Sequence, residues 1–169
     1  MYFLAIRQFA RALKNLDAVL TKAEQHAQAR KFDVNNFIGA RLAPDMLPFV
    51  TQVRIACDGA KATAASLAGK EAPKFEDNET TFEQLHARIA RTLAYLDTFT
   101  ASDFERTSSQ MRIPMPRQAG KALLADDYLL GRQLPNFCFH VTTAYDLLRH
   151  GGVELGKADY LGPLPLVDA

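Results

Sequence analysis

Residues 2–29 read YFLAIRQFARALKNLDAVLTKAEQHAQA and carry the clearest pattern in the chain. Apolar side chains recur there at alternating spacings of three and four residues, which is the repeat that places side chains on one face of an α-helix. Charged side chains occupy much of the remaining surface. The stretch therefore predicts an amphipathic helix with one buried face, made of Ile6, Phe9, Leu13, Leu16, Leu20 and Ala23.

A second helix is predicted after a break over residues 31–43, where polar residues and a glycine interrupt the first pattern. Pro44 and Asp45 follow, at the place where we expect the helix to begin. Proline suits the first turn of a helix, and a carboxylate there interacts favourably with the positive end of the helix dipole. The helix should end near Gly69, and its stripe is Met46, Val50, Val53, Cys57, Ala60, Ala64 and Leu67.

Two more helices are predicted from their terminal signals. Thr80 and Glu83 match the Ser/Thr-x-x-Glu capping box, so the third helix should begin there. Asp126 or Asp127 can cap the fourth helix, which should end at Gly151 because glycine favours a left-handed C-terminal cap. The fourth stripe is Leu130, Leu134, Phe137, Val141, Ala144 and Leu148.

Four amphipathic helices bury their stripes best against one another, so the sequence predicts an all-α protein built as a four-helix bundle. Between the third and fourth helices, Pro114 and Pro116 precede an RQAG turn and predict a small β-hairpin. Pro135 should either kink the fourth helix or mark its start. Residues 153–169 lack periodicity, and Pro163 and Pro165 predict an extended or frayed end. We expect one domain over residues 1–162 and a C-terminal tail over residues 163–169.

Composition narrows the classes of function. The chain has 169 residues and a net charge of +1, which argues against a nucleic-acid-binding surface. No apolar run is long enough for a membrane span or a signal peptide. Cys57 and Cys138 are the two cysteines and lack a metal-binding spacing, which favours buried free thiols in the cytoplasm, with a single disulfide as the alternative.

The histidines are the main candidates for chemistry. His26 and His86 are isolated and should be surface or boundary residues, and His150 suits a helix C-terminus. His140 lies beside the fourth apolar stripe and shares a helix face with Asn136, four positions earlier. These two side chains either line a polar pocket between helices or satisfy buried backbone groups, and the residues leave both alternatives open.

A metal site would be short of ligands, because such sites usually need three or more His, Cys, Asp or Glu side chains. Asp45 could join His140 by reaching inward from the first turn of the second helix. Cys138 should point to a different side of the fourth helix from His140, so the two would not act as a nucleophile and its base. The sequence contains no phosphate-binding loop, nucleophile elbow or HExxH motif.

Three stretches of the chain carry a family resemblance, and they read LPNFCFHVTTAYDLLRHGGVELGKADYLG (134–162), ARLAPDMLPFVTQVRIACDGAK (40–61) and FEDNETTFEQLHARIA (75–90). The chain resembles a bacterial family of unknown function within the DinB/YfiT-like superfamily, whose members are regarded as metalloenzymes. The resemblance implies a four-helix bundle with up-down-down-up connections, often assembled as a homodimer. It also implies, from many relatives, three histidines that bind a divalent metal, and some relatives are thiol transferases or thiol-dependent isomerases.

In that superfamily one histidine comes from helix two and two come from helix four, spaced i, i+4. Matched to this pattern, His140 takes the second helix-four position, Asn136 takes the first, and the helix-two position falls at or near Gln52. Amides bind zinc or nickel far more weakly than imidazole does. We therefore expect no metal cofactor, and we predict that Asp45, Gln52, Asn136 and His140 form a candidate pocket for a small polar ligand.

Three functions follow from these residues, and the first is a small-molecule-binding or structural homodimer. The alternative is a transferase or hydrolase that depends on a thiol or on a divalent metal such as zinc or nickel, with His140 and Asp45 as ligands. A nucleic-acid binder ranks last, because only the superfamily name suggests it.

The homodimer has support from aromatic and aliphatic side chains that lie off the predicted stripes. In the alternative, the same side chains pack beneath the hairpin and the tail. They are Phe3, Leu4, Phe49 and Phe139.

Overall fold

The computed structural model describes residues 1–115, 118–164 and 166–167. Five α-helices and one antiparallel hairpin make up its regular structure, with two short 3₁₀ turns and one π-helical segment between them. The α-helices are α1 (Tyr2–Arg30), α2 (Phe49–Leu67), α3 (Phe82–Leu96), α4 (Leu134–His150) and α5 (Lys157–Leu161). The remaining elements are β1 (Arg112–Pro114), β2 (Ala122–Leu124), the 3₁₀ turns Val34–Phe37 and Ala101–Phe104, and the π-helix Asp127–Gln133.

Helix α1 confirms the predicted stripe, since every member of it is buried. The helix ends at Lys31, which adopts the left-handed conformation with φ of 59° and closes the last turn by donating its backbone N–H to carbonyls of that turn. The four-three spacing alone therefore located this helix and its buried face.

Helix α2 begins at Phe49 rather than at Pro44 and Asp45, so the predicted start is wrong. Pro44 and Asp45 lie in a turn, and Pro48 in extended backbone is the N-terminal cap. A proline disfavours helical backbone at the residue before it, so a helix could not run from Asp45 through Leu47 into Pro48. Asp45 is therefore exposed in the turn and does not belong to the first helical turn.

Helix α3 has a capping box, but it is formed by Thr81 and Gln84 instead of Thr80 and Glu83. Thr81 Oγ1 accepts a hydrogen bond from the Gln84 backbone N–H at 3.3 Å, and Gln84 Oε1 accepts one from the Thr81 N–H at 3.2 Å. The motif was correctly expected, and its register is one residue later. The shift places Phe82 at the start of the helix and in the core, where it is 1% exposed.

Contacts between helices establish an up-down-down-up bundle. Helices α2 and α3 run parallel, because Phe49 stacks on Phe82 at their beginnings and Asp58 pairs with Arg88 further along both. Helix α4 runs antiparallel to α2 and parallel to α1. Ser66 with Tyr128 and Gln52 with His140 show the antiparallel direction, and Tyr2 with Asp126 and Phe9 with Phe137 show the parallel one.

The predicted hairpin is present between α3 and α4, with Ile113 opposite Leu123. Pro116 and Arg117 of its expected turn lie outside the described residues. A π-helix leads directly into α4, and its wider turn moves preceding side chains off the 3.6-residue repeat. Leu130 is therefore 49% exposed, so its prediction as a member of the buried stripe is wrong.

The region from residue 153 to residue 162 contains a short helix, so the expectation that it lacks regular structure is wrong there. Gly152, with φ of 93°, turns the chain after α4, and helix α5 follows over Lys157–Leu161. The Asp159 carboxylate caps α5 by accepting the Gly156 backbone N–H at 2.8 Å. Gly162 has a φ of 65° and packs against the side chain of Asn15 in α1, so a residue with a Cβ would be strained there and would have to displace Asn15.

The side chains expected at a dimer interface are only partly exposed. Phe49 is fully buried against Phe82, and Phe3 packs on Phe104 with ring centroids 6.2 Å apart, so both belong to the fold of one chain. Leu4 and Phe139 remain exposed, by 71% and 56%. Among the described residues, no helix has the length and apolar character that crossing a membrane requires.

Candidate functional site

His140 is a buried polar residue on the face of α4 that packs on α2. It is 7% exposed, and its neighbours in the stripe, Phe137, Val141 and Ala144, are buried as predicted. Its Nδ1 atom lies 2.7 Å from Oε1 of Gln52 in α2. Sequence reasoning therefore brought together two residues that lie 88 positions apart in the chain.

Gln52 determines which nitrogen of His140 carries the proton. Gln52 is 1% exposed, and its Nε2 donates a hydrogen bond of 2.9 Å to the carbonyl of Leu47. A carbonyl can only accept, so the amide is oriented with Oε1 towards His140. Because Oε1 is also an acceptor, Nδ1 must donate, and His140 is held as the Nδ1–H tautomer.

This arrangement leaves the Nε2 lone pair of His140 available. Burial lowers the pKa of His140 from its ordinary value of 6.5, so the imidazole is neutral at pH 7. In the described part of the chain nothing forms a hydrogen bond with Nε2, and this atom keeps some contact with solvent. A neutral imidazole nitrogen of this kind can accept a hydrogen bond, accept a proton or bind a metal.

The other two predicted pocket residues stand apart from this pair. Asn136 is exposed one helical turn before His140, and its Nδ2 atom would lie 3.9 Å from a Cβ placed on Gly59 of α2. It therefore borders the α2–α4 seam without bonding to Gln52 or His140. Asp45 is exposed in the turn before α2 and makes no side-chain hydrogen bond with a described residue.

A second polar cluster, which sequence reasoning missed, joins α2, α3 and the segment before α3. We call it the Arg88 cluster, and it consists of Arg54, Asp58, Asp77, Glu79 and Arg88. The Arg88 side chain is fully buried and pairs with Asp58 at 2.7 Å and with Glu79 at 2.8 Å. Arg54 also pairs with Glu79, at 2.7 Å.

Ion pairing decides the protonation states in the Arg88 cluster. Burial alone would lower the pKa of Arg88, but the pairs with Glu79 and Asp58 raise it. Burial alone would raise the pKa of Glu79, but hydrogen bonds from Arg88 and Arg54 lower it. Glu79 and Arg88 are therefore held in their charged forms, and Nε of Arg88 is the one buried nitrogen of the cluster without a hydrogen-bond partner among the described residues.

Phe75 covers the Arg88 cluster from outside. Lys61 Nζ lies 3.9 Å from the ring centroid, and the guanidinium carbon of Arg91 lies 4.1 Å from it. The ring thus contacts two cations and closes the segment between α2 and α3 over the buried charges. The signal for this cluster in the sequence was a charged residue, Arg88, at helical spacing from Leu85 on the buried stripe of α3.

Comparison with known proteins agrees with this architecture. The family described as Domain of unknown function (DUF1993) matches residues 1–161. The chain belongs to the DUF1993 family. It is also similar to the crystal structure of a DinB family member protein from Shewanella denitrificans, with a TM-score of 0.94 and 44% sequence identity over 99% of this chain and 95% of that chain. No curated protein matches the chain at a significant level. The resemblance to a DinB-like family of unknown function is confirmed.

The residues of this DUF1993 chain do not fit a three-histidine metal centre. Of the three positions that the resemblance assigns, only His140 carries an imidazole, and the Gln52 oxygen already accepts the His140 Nδ1–H. Within the described ranges, no group of three or more His, Cys, Asp or Glu side chains is placed to hold a metal ion. The donor set supplies one nitrogen where the family pattern requires three.

The remaining histidines of the DUF1993 chain are boundary or surface residues. His86 Nδ1 lies 2.6 Å from Asp17 and its Nε2 lies 3.3 Å from Glu24, so this side chain links α3 to α1. His26 packs edge-on against Phe32 with ring centroids 5.8 Å apart. His150 is exposed at the last residue of α4. These three side chains lie outside the α2–α4 seam.

Both cysteines are free thiols, but only one is buried as predicted. Cys57 is fully buried, and burial raises its pKa to about 12. Cys138 is exposed on the side of α4 that faces α1 and α5, and its partial burial still raises its pKa. Neither thiol is activated, because a reactive cysteine needs a lowered pKa.

Proposed function

We propose that this DinB-like protein binds a small polar ligand at the α2–α4 seam, through Nε2 of His140 and without a metal. The observation that carries the proposal is the hydrogen-bonded chain from the Leu47 carbonyl through Gln52 to His140. It fixes a neutral imidazole in one tautomer and leaves its outer nitrogen unpaired. Nε2 keeps contact with solvent, so a ligand can reach this fixed nitrogen and replace water as its hydrogen-bond partner.

The surroundings of Nε2 set the chemistry of the ligand. A neutral Nε2 only accepts, so the ligand must present an N–H or O–H group to it. Asn136, one turn earlier, offers both a donor and an acceptor. The exposed ring of Phe139 stands perpendicular to the His140 ring with centroids 5.3 Å apart and offers an apolar face. A compact molecule with a hydrogen-bond donor beside a flat apolar part meets these requirements.

A thermal-shift screen of small hydrogen-bond donors would test the proposal. Compounds that stabilise the wild-type protein should lose their effect in His140→Ala and keep it in His150→Ala, which removes an exposed histidine from the same helix. Compounds that stabilise both variants equally bind elsewhere. The proposal is contradicted if every stabilising compound raises the melting temperature of His140→Ala as much as that of His150→Ala.

The second candidate is a transferase or hydrolase that uses His140 with a divalent metal or an added thiol. One observation favours it: histidines that bind metals usually donate their other ring N–H to a protein acceptor, as His140 Nδ1 does to Gln52. Elemental analysis of the dialysed protein separates the two candidates. Zinc, nickel or iron at one equivalent in the wild type and absent from His140→Ala would replace the first proposal with the second.

We further propose that the protein is a cytoplasmic homodimer. Leu4 and Phe139 are the exposed members of the predicted interface, and a stable two-fold interface should bury more than about 1,000 Å² in total. Light scattering at tens of micromolar protein should give twice the mass of one chain. A monomeric mass there would reject the dimer. Nucleic-acid binding stays the lowest-ranked candidate, because a net charge of +1 supplies little attraction for phosphates.

A further inference from the structure

A separate cavity lies on the other side of α4 from His140, between α1, α4 and α5. Its volume is about 210 Å³, and its wall is mainly apolar, with the rings of Phe9 and Phe137 and the methyl group of Ala12 among its lining. Cys138 and Tyr160 also line the cavity. This volume is smaller than the roughly 300–1,000 Å³ of pockets for drug-sized ligands, so the occupant must be small.

Among the described residues that line this cavity, Arg11 is the one that carries a charge. Its Nη2 atom donates to the carbonyl oxygens of Pro163 at 2.7 Å and Leu161 at 3.3 Å, which position the guanidinium at the start of the C-terminal segment. Nη1 and Nε have no hydrogen-bond partner within the described part of the chain, and no Asp or Glu of that part lines the cavity. By contrast, Arg7, one turn earlier on α1, pairs with Asp97 at 2.7 Å.

We propose that this cavity binds a small amphipathic carboxylic acid, with its carboxylate on Arg11 and its hydrocarbon part against Phe9, Ala12 and Phe137. A guanidinium with unused N–H groups matches a carboxylate in geometry and charge. The apolar wall stabilises the hydrocarbon part by removing it from water. This site is independent of the His140 seam, because the two lie on different faces of α4.

Cys138 provides a direct readout of occupancy. Cys57 is fully buried, so a thiol reagent such as DTNB should modify Cys138 alone in the folded protein. Partial burial raises the pKa of Cys138, so the reaction is best followed at alkaline pH. Octanoate should slow the reaction in a saturable manner, whereas acetate and 1-octanol at the same concentrations should have little effect. Cys138→Ser should abolish the fast reaction and so confirm its assignment.

Two variants test how octanoate binds, and each is compared with and without the acid. Arg11→Gln should weaken octanoate binding by about tenfold, since it removes a charged hydrogen-bond donor. Arg7→Gln is the matched control and should bind as the wild type does. Ala12→Leu should also weaken binding by filling the cavity while it keeps Arg11, and thermal melts should show that each variant is folded.

The proposal is overturned if octanoate leaves the rate of Cys138 modification in the wild type unchanged. It is also overturned if Arg11→Gln and Arg7→Gln, both folded, bind octanoate equally well. Equal protection by octanoate and 1-octanol would show an apolar site without carboxylate recognition and would likewise reject it.

Discussion

Two of the polar contacts that helix α2 makes with its neighbours are built in opposite ways. Towards α3 it meets the Arg88 cluster, in which a fully buried guanidinium is surrounded by Asp58, Asp77 and Glu79. Towards α4 it meets His140 through a single neutral hydrogen bond from Nδ1 to Gln52. The first contact pairs opposite charges, and the second leaves a nitrogen unpaired.

The difference separates a structural role from a binding role within one helix. Buried charges are tolerated only when partners compensate for the loss of water, and Arg88 receives those partners from α2 and from the segment before α3. It therefore holds the segment between α2 and α3 in place and leaves little for a ligand to do. The His140 seam has no charge to neutralise and keeps an acceptor at the edge of the core. Ligand binding is thus expected at the seam, and structural stabilisation at the cluster.

The largest effect should come from breaking the Arg88 cluster. Arg88→Met leaves the buried carboxylate of Glu79 without its main partner, so the free energy of unfolding should fall by about 3–5 kcal/mol in urea titrations. The matched control is Arg91→Met, which removes an exposed cation from the outer face of Phe75 and should cost less than about 1 kcal/mol. Similar losses of unfolding free energy in both variants would show that buried Arg88 contributes no more to stability than exposed Arg91 does.

A smaller loss is expected at the seam. Gln52→Leu removes the acceptor for His140 Nδ1–H and the donor to the Leu47 carbonyl, which should cost about 1–3 kcal/mol. His140→Leu should remove the same contact from the other side. The double variant should therefore lose clearly less than the sum of the single losses. Additive losses would mean that the two side chains do not act as a pair.

The smallest effect concerns pH. Because burial lowers the pKa of His140 below 6.5, its contribution to stability is complete above pH 6.5 and is lost as the pH falls through the folded-state pKa. The stability of the wild type should therefore fall more steeply below pH 6.5 than that of His140→Gln. Parallel curves for the wild type and His140→Gln would contradict a lowered pKa.

Periodicity predicted most of the bundle, and local exceptions account for the errors. The stripes of α1 and α4 were readable because three- and four-residue spacings continue over several turns. The start of α2 was misplaced because Pro44 and Pro48 both suit a helix start, and only the restriction that Pro48 imposes on Leu47 decides between them. Helix α5 has five residues, too few to show a repeat.

The candidate site was predictable only in part. Family resemblance indicated Gln52 and His140, and the structure places them in contact. It also indicated Asn136, which borders the same seam but is exposed and makes no hydrogen bond with Gln52 or His140. The Arg88 cluster was missed because its partners come from α2 and from the segment before α3, and charge order along one chain does not show which side chains meet.

Nitrogen-15 NMR of the His140 imidazole ring is the measurement that tests the central claim most directly. At pH 7 the spectrum of the wild type should show a neutral ring protonated at Nδ1, with Nε2 unprotonated. Gln52→Leu should shift the population towards the Nε2–H tautomer, because the acceptor for Nδ1–H is gone. A wild-type ring that is protonated at Nε2, or at both nitrogens, would contradict the account, since Nε2 would then have no lone pair for a ligand.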